Sequence, residues 1–286
     1  MTIVGIVGLG LIGGSLALDL RSQGYRVLGV SRKPQTCQTA LLKHVTDEAS
    51  TDLALLGKAD VIFICTPIPA IAPTVRALVP HLSSAAVITD VGSVKAPIVE
   101  EITPLWENFI GGHPMAGTEA QGINAAQRDL FVGAPYVLTP VENTPARAIA
   151  VLEELVGAIG AKLYSCSPQQ HDRAVAWISH LPLLVSAGLI DSCLGEEDGE
   201  VLKLARCFAS SGFRDTSRVG GGNPELGLEI ARANREEILR SLARYRQHLE
   251  GLFEVIEKED WQNLEMILQQ TESGRKTFGN WSRQKP

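Results

Sequence analysis

His113 and Ser93 are the residues of this chain best suited to carry chemistry. An imidazole with an ordinary pKa of about 6.5 can take up or release a proton near neutrality, and a hydroxyl can orient a reacting group by hydrogen bonding. Both follow short apolar runs: Ser93 lies in Asp90-Val91-Gly92-Ser93-Val94-Lys95 after Val87, and His113-Pro114 comes after Phe109. Thr66-Pro67 follows a third run, Val61 to Cys65. In an open parallel sheet such strand ends line the ligand crevice, so their convergence with a glycine loop favours a functional reading over ordinary turns. Lys95, at the start of a helix, is expected to be solvated.

That loop is Gly8-Leu9-Gly10-Leu11-Ile12-Gly13, a G-x-G-x-x-G string between the apolar strand Ile3 to Val7 and a following helix. In this setting Gly8 makes the tight turn, Gly10 lets backbone approach a pyrophosphate, and Gly13 allows close helix packing. Leu9, Leu11 and Ile12 share the loop and count among the cofactor-binding positions. The second strand, Arg26 to Val30, ends not at the acid that reads a ribose 2′-hydroxyl but at Ser31-Arg32-Lys33. A guanidinium and a hydroxyl suit a 2′-phosphate, which a carboxylate would repel, so the expected cofactor is NADP. Thr36, Thr66, Pro67 and Ser93 complete the expected cofactor contacts. Asp47 and Glu48 lie too far along the chain to serve as the ribose acid.

Positioning these groups takes alternating strands and helices. Ile3 to Val7, Arg26 to Val30, Val61 to Cys65 and Val87 to Val91 are apolar runs separated by helix-length segments. That alternation predicts a mainly parallel sheet. Phe109 to Gly111, Tyr136 to Thr139 and Lys162 to Tyr164 read as further strands, with a helix over Ala146 to Ala158. After Ser167 the strand signals stop and helices follow, broken by Gly220-Gly221-Gly222 and Asn223-Pro224. The expected domains are therefore residues 1–165, a dinucleotide-binding α/β domain, and 166–286, all helical. Ile238, Leu242, Tyr245, Leu249, Leu252 and Ile256 form one apolar helical stripe, suited to packing in its own domain or to a subunit interface.

At 286 residues the chain is long enough for two domains and a sizeable core. Its 26 lysines and arginines against 32 acids give a net charge of −6, which disfavours nucleic acid and anionic lipid as partners. A small-molecule substrate is expected instead. The uncharged stretch Ile3 to Leu18 has no preceding basic residue and is rich in glycine, so it reads as neither a signal peptide nor a membrane span. Leu181 to Ile190 is shorter still, and no membrane association is expected. Five scattered cysteines without a C-x-x-C pair suit a reducing, cytoplasmic location. His171 and His180, nine apart, do not repeat on one helical face, and no metal site is expected.

Taken together, the glycine loop, Asp90 to Lys95, Gly111-Gly112-His113-Pro114-Met115-Ala116-Gly117, Ser179-His180-Leu181-Pro182 and Gly212-Phe213-Arg214-Asp215-Thr216-Ser217-Arg218 resemble the arogenate/prephenate dehydrogenase family of tyrosine biosynthesis. The resemblance implies a Rossmann domain followed by a helical dimerisation domain, hence a homodimer. It implies His113 as the catalytic base for a ring hydroxyl, Ser93 as its companion, and Arg218 as the holder of a substrate carboxylate. Arg214 is expected to pair structurally with an acid, Glu119 to reach Arg218 in the empty site, and His180 to be partly structural. Prephenate enzymes often carry a second histidine after S-H-L-P, where this chain has Leu183. That departure points to NADP-dependent conversion of arogenate to tyrosine, with a prephenate or dual-substrate cyclohexadienyl dehydrogenase as the alternative. A non-catalytic NADP-sensing protein would need the glycine loop but not His113, Ser93 and Arg218 together.

Overall fold

The computed structural model describes residues 2–278. The chain alternates β1 (Ile3–Val7), α1 (Leu11–Ser22), β2 (Arg26–Val30), α2 (Pro34–Leu42), β3 (Glu48–Ser50), β4 (Val61–Ile64), α3 (Ile68–Leu78), β5 (Val87–Asp90), α4 (Ala96–Ile102), β6 (Phe109–Pro114), β7 (Pro135–Thr139), α5 (Ala146–Ala158) and β8 (Lys162–Ser165). Seven of these strands stand where the apolar runs put them. β3 carries only Glu48, Ala49 and Ser50, a polar triplet with no strand pattern, and exists because it pairs with Leu28 to Val30 of β2.

All eight strands form one sheet in the order β3-β2-β1-β4-β5-β6-β7-β8. Pairing is parallel from β3 through β6, antiparallel between β6 and β7, and parallel again between β7 and β8. The strand order reverses between β1 and β4, so their carboxyl ends open the crevice where such sheets bind ligands. Alternate residues sort to the two faces of the sheet. Val4, Ile6, Val61 and Phe63 pack with Leu16, Leu20, Leu152 and Leu155 of α1 and α5. Val7, Ile62, Ile64 and Ile88 pack with Ile71, Val75 and Val99 of α3 and α4. Each fully buried aliphatic side chain contributes about 1.5–3 kcal/mol, and burial on both faces explains why these strands read as continuous apolar runs.

Beyond β8 the described residues form only helices and turns: α6 (Pro168–Val175), a π-turn at Ala176–His180, α7 (Leu181–Leu194), α8 (Gly199–Phe208), α9 (Ser211–Ser217), α10 (Pro224–Ala233), α11 (Arg235–Glu257) and α12 (Trp261–Arg275). α6 opens on a capping box in which Ser167 and Gln170 satisfy each other's backbone N–H. The π-turn has a cause in the sequence: Pro182 has no N–H to offer the carbonyl of Ile178 four residues back, so the helix widens there. The run Pro168–Leu194 is long and apolar enough, by length and composition, to cross a membrane. Its His171, Asp172 and His180 are instead buried in a polar network, the signature of a helix that serves a site. By packing, the chain divides into two compact units after Glu237, each with its own internal contacts.

A candidate active site at the carboxyl ends of the central strands

His113 sits near the end of β6, after two glycines that the packing requires. A Cβ at Gly111 would lie 2.4 Å from Thr139 Oγ1, and one at Gly112 would lie 2.7 Å from the Asp90 carbonyl oxygen. Asp90, at the end of β5, accepts from the backbone N–H groups of Gly92 at 2.8 Å and Gly112 at 3.2 Å. Lys95 corrects the expectation of a solvated residue. Its side chain is fully buried, ion-paired to Asp90, and donates to the Gly112 carbonyl at 2.8 Å. Burial pulls its pKa down, opposed by Asp90 and Asp172. The reason is economy of pairing: Asp90 needs a cation once the strands enclose it, and the turn into α4 delivers one five residues later.

A chain of hydrogen bonds runs from His113 into α6. His113 Nδ1 lies 2.8 Å from His171 Nε2, and His171 Nδ1 lies 2.8 Å from Asp172 Oδ1. The Asp172 carboxylate also accepts from the backbone N–H of Lys95 at 2.6 Å and of Ala96 at 2.7 Å, closing the start of α4. An acceptor so engaged assigns the tautomers in sequence. His171 carries its proton on Nδ1, so its Nε2 accepts from His113 Nδ1, and His113 Nε2 is left with a lone pair. His113 is held neutral: burial, His171, Lys95 and His180, in that order, press its pKa well below the ordinary value.

His180 reaches the same network although nine residues separate it from His171. In a regular α-helix that spacing spans about half a turn more than two turns, which places the two side chains on opposite faces. The π-turn takes up one extra residue, bringing the effective spacing near eight and both imidazoles to one face. Both rings are buried, both make His113 harder to protonate, and His171 does the same to His180. Asn234, the cap residue after α10, donates to the Asp172 carbonyl at 2.8 Å and lies 3.1 Å from His180 Nδ1. His171, Asp172 and Asn234 carried no motif in the sequence, and Asp90 stood in the Asp90 to Lys95 segment without a role assigned to it. Only the adjacent His171-Asp172 pair was visible there, without a sign of what it faced.

The glycine loop behaves as its spacing requires. Gly8 has φ +97°, a left-handed conformation, and a Cβ there would lie 2.4 Å from the Cys65 carbonyl oxygen. A Cβ at Gly13 would lie 2.0 Å from the Gly8 carbonyl oxygen, whereas one at Gly10 would meet nothing within 4 Å. Gly10 is the N-cap of α1 and offers no side-chain acceptor, so the first N–H groups of the helix are free of a side-chain cap. Thr66 Oγ1, across the crevice on the loop after β4, is buried without a partner among the described residues. These residues fit a dinucleotide pyrophosphate. Ser31 follows β2, and Arg32 and Lys33 are exposed beside it at the start of α2. Asp47 is committed to Arg21 and the Val27 N–H, and Glu48 to Arg26.

Arg218 opens the short turn Arg218–Gly221 after α9. The turn is fixed to α7, because Ser186 Oγ accepts from the Gly220 N–H at 2.8 Å and a Cβ at Gly220 would lie 2.4 Å from the Ala187 nitrogen. The Arg218 guanidinium is largely exposed, 3.9 Å from Glu119 Oε1. Arg214 pairs with its neighbour Asp215 at 3.1 Å. Ser93 is half-buried in the loop between β5 and α4. Leu183, in the first turn of α7, lies 3.6 Å from where a Cβ on Gly227 of α10 would be. No group of three or more histidine, cysteine or acidic side chains among the described residues is arranged to hold a metal ion.

With this geometry in place, the likeness to known proteins is specific. The model of the prephenate dehydrogenase nucleotide-binding domain matches residues 16–165, and that of its dimerization domain matches residues 167–270. The prephenate dehydrogenase of Bacillus subtilis is 32% identical over 266 residues, 91% of this chain and 71% of that protein. The cyclohexadienyl dehydrogenase of Zymomonas mobilis is 31% identical over 90% of this chain and 89% of its own length. Among solved structures, Synechocystis arogenate dehydrogenase is 54% identical, with a TM-score of 0.88 over 97% of this chain and 100% of its own. The A. aeolicus prephenate dehydrogenase in complex with hydroxyphenyl propionate and NAD+ is 28% identical, with a TM-score of 0.92 over 98% and 99%.

Proposed function

The chain belongs to the prephenate dehydrogenase family, whose two domain models account for most of its length, and from that premise we propose that it converts arogenate to tyrosine with NADP as hydride acceptor. The observation that carries the reaction is the buried, neutral His113 with its Nε2 lone pair left free by the chain to Asp172. Hydride loss from a ring carbon that bears a hydroxyl needs a base at that hydroxyl, and this is such a base.

The substrate ring carries the hydroxyl at C4 and a carboxylate at C1. His113 Nε2 takes the hydroxyl proton as hydride leaves C4, producing a C4 carbonyl. The C1–carboxylate bond then breaks, its electron pair enters the ring, carbon dioxide departs, and the C4 oxygen recovers its proton from His113 as a phenol. NADP, bound along Gly8 to Gly13 with Ser31, Arg32, Lys33, Thr36, Thr66, Pro67 and Ser93, supplies the two-electron acceptor. His171 and Asp172 act as positioning residues that fix the His113 tautomer and spread the charge it gains. Arg218 holds a substrate carboxylate as a planar fork, released from Glu119 by the competing anion. Ser93 orients the reacting groups beside His113.

Leu183 supports arogenate over prephenate. A keto side chain asks for a hydrogen-bond donor, and Leu183 offers none; the likeness to Synechocystis arogenate dehydrogenase points the same way. Ser31-Arg32-Lys33 supports NADP over NAD, since a 2′-phosphate gains from a guanidinium and loses against an acid. The dimerization-domain match supports a homodimer, and five free thiols suit a cytoplasmic enzyme. The test is a matrix of two substrates against two cofactors, followed by absorbance at 340 nm. Highest kcat/KM is expected for arogenate with NADP, with Ser31→Asp moving preference toward NAD and Leu183→His raising prephenate use. Equal efficiency on both substrates would leave a cyclohexadienyl dehydrogenase, equal efficiency with NAD would refute the cofactor assignment, and a flat trace throughout would leave a binding protein.

A further inference from the structure

His180 contributes least among the groups that keep His113 neutral, yet it is among the most buried polar side chains of the protein, 1% exposed. Its surroundings define which of its nitrogens holds the proton. Asn234 Nδ2, an amide nitrogen that can only donate, is directed at His180 Nδ1 at 3.1 Å, so Nδ1 accepts and Nε2 carries the hydrogen. That Nε2–H is buried and has no hydrogen-bond partner among the described residues. A buried donor left open costs about 1–3 kcal/mol, so its retention calls for an explanation. The main chain of Ser93 acts on this ring, favouring its protonated form without closing a bond to Nε2. Asn234 itself is locked, because the same amide nitrogen donates to the Asp172 carbonyl next to His171.

We propose that His180, with its tautomer set by Asn234, is a positioning residue for Ser93: its Nε2–H engages the Ser93 main-chain carbonyl in the enzyme with substrate and cofactor bound. The π-turn then has a purpose beyond accommodating Pro182. It carries one imidazole to His113 and turns a second toward the main chain of Ser93, from a single helical run. No bond in the reaction is made or broken at His180, and its effect on rate passes through Ser93. The inference rests on the role of Ser93 in the proposed reaction.

A double-mutant cycle separates this from a purely structural role. His180→Leu is expected to lower kcat roughly ten- to hundredfold, the scale of a small misplacement of a reacting group, while KM for NADP changes little. In a Ser93→Ala background the same substitution should cost less than about twofold, since the hydroxyl it positions is gone. His180→Gln, which keeps a donor, should recover part of the rate. Equal losses in both backgrounds would overturn the proposal while leaving Ser93 in the reaction. Unchanged turnover in Ser93→Ala alone would remove Ser93 from the reaction and the proposal with it. Nitrogen-15 NMR of the histidines in the unmodified full-length enzyme is independent of activity and of variant folding: a neutral His180 protonated on Nε2 is expected at pH 7, and protonation on Nδ1 would overturn the assignment.

Discussion

The base proposed at His113 is made by what surrounds it. Its neutrality comes from burial and three basic neighbours, and its free lone pair comes from an ordered donor chain ending at Asp172. His113→Ala should therefore lower kcat roughly 100-fold or more without weakening NADP binding measured by fluorescence. In the unmodified enzyme the acid limb of kcat/KM should fall below about pH 6.5, the value of an unperturbed imidazole. Arg218, exposed and loosely paired, meets charge already present in the ground state, so Arg218→Ala should act mainly on substrate KM. Stability follows the same groups. The folded pKa values of His113 and His180 are depressed, that of His180 to about 4, so the unfolded chain binds more protons below about 6.5. Native stability should thus drop as pH falls from 6.5 toward 4. Urea midpoints should follow that course, and His180→Gln should flatten part of it.

At the scale of elements, two glycines of one loop do different jobs. Gly13 has no room for a Cβ because the Gly8 carbonyl oxygen stands 2.0 Å from its position, and that closeness lets α1 pack on the sheet. Gly10 has open space and an extended backbone, φ −95° and ψ −155°, which alanine also adopts. Gly13→Ala should lower the thermal midpoint, at a cost of about 1–3 kcal/mol or more, as overpacking against backbone does. Gly10→Ala should melt normally and bind NADP more weakly, since the added methyl occupies the approach to the helix N-terminus. Equal melting of the two variants would contradict this division.

Across the whole molecule, the helices after Asp198 carry an unusual load of exposed apolar side chains. Val201, Leu204 and Phe208 of α8 are exposed, and so are Leu249, Phe253 and Ile256 of α11 and Met266 and Leu268 of α12. Within the second unit, α11 and α12 enclose a groove of about 1060 Å³ lined by Leu252, Val255, Ile267 and Phe278. A chain matched by a dimerization domain is expected to cover such surface with a second copy. Leu249→Asp should shift sedimentation toward monomer. A dimer unaffected by it would move the interface off the stripe, and a monomeric parent would refute the dimer.

Much of this was legible in the residues themselves. Apolar runs marked seven strands: those in the middle of the sheet, buried on both faces, carry an uninterrupted apolar signature, whereas β8 is exposed along its length and carries only a short one. The spacing of Gly8, Gly10 and Gly13 encodes steric facts that hold wherever a strand meets a helix in this way, so the loop could be read without coordinates. What the order of residues does not encode is which side chains meet after folding. Lys95 looked solvated because a helix-start lysine usually is, and only the closure of β5, β6 and α4 around Asp90 buries it. His171 and His180 looked unrelated because nine residues do not repeat on an α-helix. A single π-turn, set by a proline whose missing N–H acts locally but whose consequence is felt a turn away, brings them together. Tautomers, buried pairs and a shared face are properties of the neighbours a residue acquires, and the partners that set the tautomers and hold Asp172 come from segments 54 to 77 positions apart along the chain.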